Sequence, residues 1–297
     1  MIVDTHVHIW DEKYCSREML DAIFAHRATL PTDSTAQRRL MPIPMEAWLE
    51  ELRGALDKAI VIGIDITRVF GTRLPDQFLL EFIKMDPDLL LAYTGVEPLD
   101  ENNNFKEEVL DEVEKSVNEY GFKGVKLMPV HGNYYANNKK LYPLYEKCLD
   151  LRIPILFHLA GSSFPKAMLK YADPIVLDEV AVDFPELRMG LAHFGYPWAE
   201  TCCVLLQRNR NLFVDISEVL YRPRWVASGL QLAKEYGVLD RIFFATDGPG
   251  VCRPVEKYVE WCRTGLNELC KNSGLPTFTQ GEIDGLLGDN AVKFLGL

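Results

Sequence analysis

Ile153-Pro154-Ile155-Leu156-Phe157-His158-Leu159-Ala160 is the stretch on which the fold turns. Its apolar residues are consecutive rather than alternate, which predicts a strand covered on both faces, as in a parallel sheet. It then meets a histidine, an ionisable group that an apolar environment does not accept without a partner. Comparable runs occur at Ile2–His6, Ala59–Ile64, Leu89–Val96, Gly124–Met128, Arg188–Ala192, Leu212–Ile216 and Arg241–Ala245, so that with Ile153–Phe157 there are eight. Helical spacing separates them: Trp48, Leu49, Leu52 and Leu56 within Met45–Lys58, and Val109, Leu110, Val113 and Val117 within Phe105–Tyr120. Leu141–Leu151, Lys166–Phe184, Trp198–Arg208, Arg224–Tyr236 and Val255–Lys271 read the same way. Strands alternating with helices form right-handed βαβ units. Eight of them predict an α/β fold, a distorted (β/α)8 TIM barrel. The rival, an open doubly wound sheet, lacks a G-x-G-x-x-G after the first strand.

The 297 residues suit one barrel domain over 1–297, since such barrels take about 250 residues. Trp10–Pro44 is too long for a simple βα loop and reads as an insertion over the active-site end. It carries a helix at Arg17–Arg27 and a Pro42-Ile43-Pro44 stop. Gln280–Leu295 reads as a final helix packed outside the barrel. A net charge of −11 argues against nucleic acid or an anionic membrane as partner, while leaving room for a local basic pocket. Seven cysteines without a C-x-x-C pair read as reduced thiols of a cytoplasmic protein. The chain shows neither a signal-peptide pattern at its start nor a membrane-length apolar run. A homodimer is the base-rate expectation for assembly.

Polar residues close several of the strands. His6 and His8 stand two apart, so they share one side of strand one and could chelate one metal ion. His158 closes strand five, His193 strand six and Asp247 strand eight. Any one of these could be an ordinary core histidine. Together, at strand ends where barrel enzymes place their catalytic groups, they predict an active site. Asp4 shares the face of His6 and is open to two readings, a carboxylate behind the site or a cap of the barrel floor. His131, after strand four, could contact substrate, though a solvated loop position is the simpler reading. His26 reads as exposed. Arg222 and Arg224 after strand seven and Arg253 after strand eight could clamp a carboxylate, or form surface ion pairs. Tyr134, Tyr135, Tyr196 and Trp198 are candidates for the pocket wall.

DTHVHIW (Asp4–Trp10), GVKLMPVHG (Gly124–Gly132), IPILFHLAG (Ile153–Gly161), LAHFGYPW (Leu191–Trp198), ATDGPG (Ala245–Gly250) and LLGDNAVKFLGL (Leu286–Leu297) occur in this order. As a set they resemble the amidohydrolase-related (amidohydrolase 2) family of the amidohydrolase superfamily, in its aminocarboxymuconate-semialdehyde decarboxylase-like branch. The resemblance implies one divalent ion, zinc with manganese as second choice, held by His6, His8, His158 and Asp247. It implies that His193 is the general acid/base. Lys126 matches the strand-four lysine that is carboxylated in two-metal members. The closer single-metal match makes it a charge partner or substrate contact instead. Met128 and Gly248 depart from the pattern, where histidine and an aromatic residue are common, and leave the pocket's shape open.

These residues imply metal-assisted hydrolysis of an amide, ester or lactone in a small, carboxylated organic substrate. Zinc lowers the pKa of a bound water to about 7, Asp247 takes its proton, and His193 polarises the carbonyl or relays a proton. The alternative is non-oxidative decarboxylation of a small aromatic or unsaturated acid. Two further readings are weaker. A non-catalytic binding barrel would lack ligands, and none is missing. A nuclease would be expected to carry a carboxylate where Lys126 stands.

Overall fold

The structure, a computed structural model, describes residues 1–27, 44–248 and 254–296. Within them, eight parallel strands run in the order β1-β2-β3-β4-β5-β6-β7-β8. They are β1 Val3–Val7, β2 Lys58–Ile62, β3 Leu90–Gly95, β4 Gly124–Leu127, β5 Ile155–Phe157, β6 Met189–Leu191, β7 Leu212–Asp215 and β8 Ile242–Phe243. Each overlaps one of the expected runs, with β1 running one residue past its run to Val7 and β2 starting one residue early at Lys58. Register shifts between Asp4 and Val7 in the β1–β2 pair and is continuous from β2 to β8, with Lys126 of β4 level with Leu156 of β5, and Leu156 level with Gly190 of β6.

β8 is shorter than the expected Arg241–Ala245 because its seam with β1 is irregular. Thr5 N–H reaches Phe244 O at 3.4 Å, Asp247 N–H reaches His6 O at 2.8 Å, and His8 N–H reaches Gly248 O at 2.5 Å. The Asp4 carboxylate spans this gap, accepting from His6 N at 3.1 Å, Thr246 N at 3.1 Å and Thr246 Oγ1 at 2.6 Å. Asp4 thus stands behind the site, the first of its two readings, and clasps the last strand to the first. Burial pushes its pKa up to about 7, against the pull of its Thr246 and His6 hydrogen bonds.

The helices follow the apolar spacing. Helix α1 is Arg17–Arg27, as expected, and α2 is Met45–Ala55, which buries Trp48, Leu49 and Leu52. Helix α3, Asp76–Ile83, follows Pro75 and was not among the sequence-expected helices. Helices α4 Glu108–Asn118, α5 Tyr142–Asp150, α6 Leu177–Asp183, α7 Ala199–Arg208 and α8 Pro223–Glu235 complete the series up to β8. The expected helix over Lys166–Phe184 is reduced to α6, preceded by two 3-10 turns, Leu169–Tyr171 and Pro174–Val176. Pro174 has no N–H to give, and Asp173 caps the second turn by accepting from Ile175 N at 3.0 Å. Of the Trp10–Pro44 insertion, residues 28–43, which include Pro42 and Ile43, lie outside the described residues, as does the side chain of His26.

The C-terminal segment corrects the expectation of a helix outside the barrel. Asn290–Leu295 closes the barrel floor: Phe294 stacks on Phe243 at 4.9 Å and meets Phe213 at 5.3 Å, beside buried Val3, Ile60 and Leu156. Asn290 Nδ2 donates to Ile242 O at 2.8 Å, fastening this plug to β8. Gly190 leaves the room for it, since a Cβ there would lie 2.9 Å from the Phe294 ring. Phe294→Ala empties that space and is expected to lower unfolding free energy by roughly 3–5 kcal/mol. The catalytic mouth is at the other end, so metal content should not change. Denaturant titration with metal analysis checks both.

Candidate metal centre and pocket

The carboxyl ends of the strands bring the flagged residues together. His6, on β1, and His8, which follows it, are buried, as are His158 after β5 and His193 after β6. His193 and Asp247 have left-handed backbones, with φ of 61° and 63°. This conformation is uncommon outside glycine and is concentrated at functional sites.

Hydrogen bonds fix the face each imidazole shows. The His6 Nδ1–H donates to Asp215 Oδ2 at 3.0 Å, and the His8 Nδ1–H donates to the Ile62 carbonyl at 3.3 Å. The Nε2 atoms of both rings face Asp247, each 3.3 Å from its Oδ1. Burial, with the Lys126 charge, pushes the His6 pKa down to about 3, so the ring is neutral at pH 7. Burial opposes ionisation of Asp247, but its hydrogen bond to His8 and the surrounding imidazoles outweigh it and hold the group below the usual carboxylate range. Two imidazole nitrogens and a carboxylate oxygen this close together form a donor set that one divalent cation can share.

The rest of the donor set borders the same point. His6, His193 and Asp247 each place a donor atom within 4.8 Å of the other two. His158 Nδ1 lies 3.0 Å from His193 Nε2, and its own Nε2 has no hydrogen-bond partner among the described residues. Burial and the neighbouring imidazoles and Lys126 push the His158 pKa well down. Neutral imidazoles with one carboxylate suit a divalent ion such as zinc or manganese. Geometry thus sets His193 as close to the centre as the four residues grouped by sequence.

Lys126 is fully buried inside the barrel mouth, with Nζ 3.2 Å from His6 Nε2. Burial pushes its pKa down to about 8, against the pull of Asp215, Asp247 and Glu218. His131 is not a solvated loop residue. Its short helical turn, Pro129–Gly132, carries it inward, and it is 2% exposed. Its ring meets His158 at 4.5 Å and Phe164 at 5.3 Å, and its Nε2 pairs with Ser162 Oγ at 3.1 Å.

A cavity of about 370 Å³ opens beside His193. Arg222 lies in it between two aromatic rings, 4.2 Å from the Tyr221 centroid and 4.6 Å from that of Tyr196. The guanidinium donates to the Tyr221 hydroxyl. Tyr196 and Trp198 line the cavity as expected. Tyr134 is instead core, and Tyr135 is exposed against Tyr171. Arg253 lies outside the described residues.

Sequence reading missed Asp215, Ser217 and Glu218. The first two have a legible signal, since Asp215 ends the apolar run Leu212-Phe213-Val214 as His158 ends its own. Two apart, Asp215 and Ser217 share a side of the chain.

Known proteins resemble the chain in part and in whole. Over 106 residues it is 33% identical to 2-keto-4-carboxy-3-hexenedioate hydratase of Sphingobium sp. (strain NBRC 103272 / SYK-6), a stretch that covers 29% of this chain and 31% of the hydratase. The chain therefore matches about a third of that relative's length. An uncharacterised TIM-barrel protein from Bordetella bronchiseptica superposes with a TM-score of 0.74 at 21% identity, over 99% of this chain and 98% of the other. The 5-carboxyvanillate decarboxylase of Novosphingobium aromaticivorans, solved with manganese and 4-hydroxy-3-methoxy-5-nitrobenzoic acid, gives 0.68 at 14% identity over 100% and 96%. Both structures share the fold. Residues 3–297 match the Amidohydrolase family, and the chain belongs to it.

Proposed function

We propose that the protein is a metal-dependent hydrolase that cleaves an amide, ester or lactone bond in a small carboxylated molecule. The observation that carries this reading is the convergence of Asp247 Oδ1 with the Nε2 atoms of His6 and His8 at 3.3 Å, beside the cavity. When bound there, a divalent ion, zinc first and manganese second, supplies the Lewis acidity that acidifies water and polarises a carbonyl. Asp247 takes the proton from the attacking water, and His193 holds or returns a proton at the leaving atom. Arg222 binds the substrate carboxylate, and the walls of Tyr196 and Trp198 exclude water around it. At about 370 Å³ the cavity is near the lower end of ligand pockets, which fits a small substrate.

Decarboxylation of a planar unsaturated or aromatic acid is the second reading, favoured by one guanidinium set among aromatic walls. The hydratase likeness adds water addition to a double bond as a close variant, using the same residues. A panel of lactones, esters, amides and unsaturated or hydroxylated aromatic acids separates them by product. Hydrolysis that is lost to a chelator and restored by zinc or manganese supports the leading reading. CO2 release or hydration without hydrolysis overturns it.

Arg222→Met is expected to raise KM for a carboxylated substrate roughly 10–100-fold, the worth of a hydrogen bond to a charged group, with a much smaller change in kcat. Steady-state kinetics checks this against an uncharged analogue, whose KM should not move.

A further inference from the structure

We propose that Asp215 and Ser217 are shared positioning residues that set the tautomers of His6 and His193 together, so that one carboxylate aims both rings at the metal centre. The inference rests on the metal reading of that site and deepens it. Asp215 and Ser217 are both fully buried.

The hydrogen bonds leave little choice. Asp215 Oδ2 takes the His6 Nδ1–H at 3.0 Å. Asp215 Oδ1 takes the His193 backbone N–H at 2.9 Å, the Ser217 backbone N–H at 2.9 Å and the Ser217 hydroxyl. A hydroxyl has one proton, and here it is spent on Asp215; turned elsewhere, Ser217 Oγ and Asp215 Oδ1 would face each other as close acceptors. Ser217 Oγ then only accepts. Its other close contacts, His193 Nδ1 at 2.8 Å and His6 Nδ1 at 3.1 Å, must therefore be donors, and the Ser217 carbonyl 3.4 Å from His193 Nδ1 also only accepts. His193, like His6, carries its proton on Nδ1, and its unprotonated Nε2 faces the centre, 3.0 Å from His158 Nδ1. The same oxygen that orients the His193 ring through Ser217 also anchors its left-handed backbone, so ring and main chain are set by one group.

The two arms can be cut separately. Ser217→Ala removes the His193 arm and leaves His6 Nδ1 its Asp215 acceptor; Asp215→Asn disturbs both. Histidine-selective 15N correlation spectra, recorded with and without zinc, report which ring nitrogen carries the proton, and chelator competition reports zinc affinity. Ser217→Ala should move the His193 proton off Nδ1 and lower turnover at least about 10-fold, while zinc affinity stays within about threefold. Ser217→Thr, which keeps the hydroxyl, should restore the parental tautomer. Asp215→Asn should alter both rings and weaken zinc roughly 10–100-fold, the usual effect of losing a group that orients a metal-binding histidine. His193 unchanged in Ser217→Ala, or zinc affinity and His6 unchanged in Asp215→Asn, would overturn the proposal. A parent that takes up no zinc would instead refute the metal reading, and the zinc-free spectra would still decide the tautomers.

Discussion

Asp247→Ala is expected to purify without its divalent ion and to lose turnover to background, while remaining folded. The Asp247 carboxylate is the charged member of the donor set, and one of its oxygens lies 3.3 Å from the Nε2 of both His6 and His8. Removing it leaves neutral imidazoles to hold a dication. Affinity should fall by more than the roughly 100-fold that marks the upper end for a merely orienting neighbour. The water also loses its proton acceptor, so adding metal back at high concentration should restore occupancy without restoring rate. Stability should change little, because the Asp247 side chain is partly exposed. Metal analysis, circular dichroism and rate measurement on reconstituted protein check the three parts. Retained stoichiometric metal would remove Asp247 from the ligands.

His193→Asn is expected to keep the metal and lose roughly 10²–10⁴-fold in kcat, the range for a positioned general acid or base. Asn can still accept or donate a hydrogen bond at a similar place, but it cannot exchange a proton near neutral pH. Its Nε2 is 3.0 Å from His158 Nδ1 and within 4.8 Å of His6 and Asp247 donor atoms, so metal content is the necessary companion measurement. Loss of the metal in this variant would make His193 a ligand rather than a proton carrier. Full turnover would make it structural.

The barrel was legible because parallel strands buried on both faces appear as unbroken apolar runs, and the polar residue ending a run stands out. His6, His8, His158, His193 and Asp247 were visible on that basis, and Asp215 obeys the same rule although it was passed over. What sequence periodicity does not carry is the path of loops and ends. The Pro129–Gly132 turn folds His131 under Phe164, and nothing in its neighbours' spacing says so. The C-terminal helix has the apolar stripe of an outer helix, yet Phe294 enters the barrel floor because Gly190 leaves it space. The departure at Gly248 has a similar cause. A Cβ there would lie 2.6 Å from Trp48 Cη2, so the indole of α2 occupies the place of a larger residue.

The central claim is a single divalent ion held at the mouth of the barrel, and metal analysis of the purified, chelator-stripped and reconstituted protein by plasma emission spectrometry tests it most directly. The account predicts about one equivalent of zinc or manganese per chain. No metal, with no uptake on reconstitution, would contradict it and require the proposed mechanism to be withdrawn.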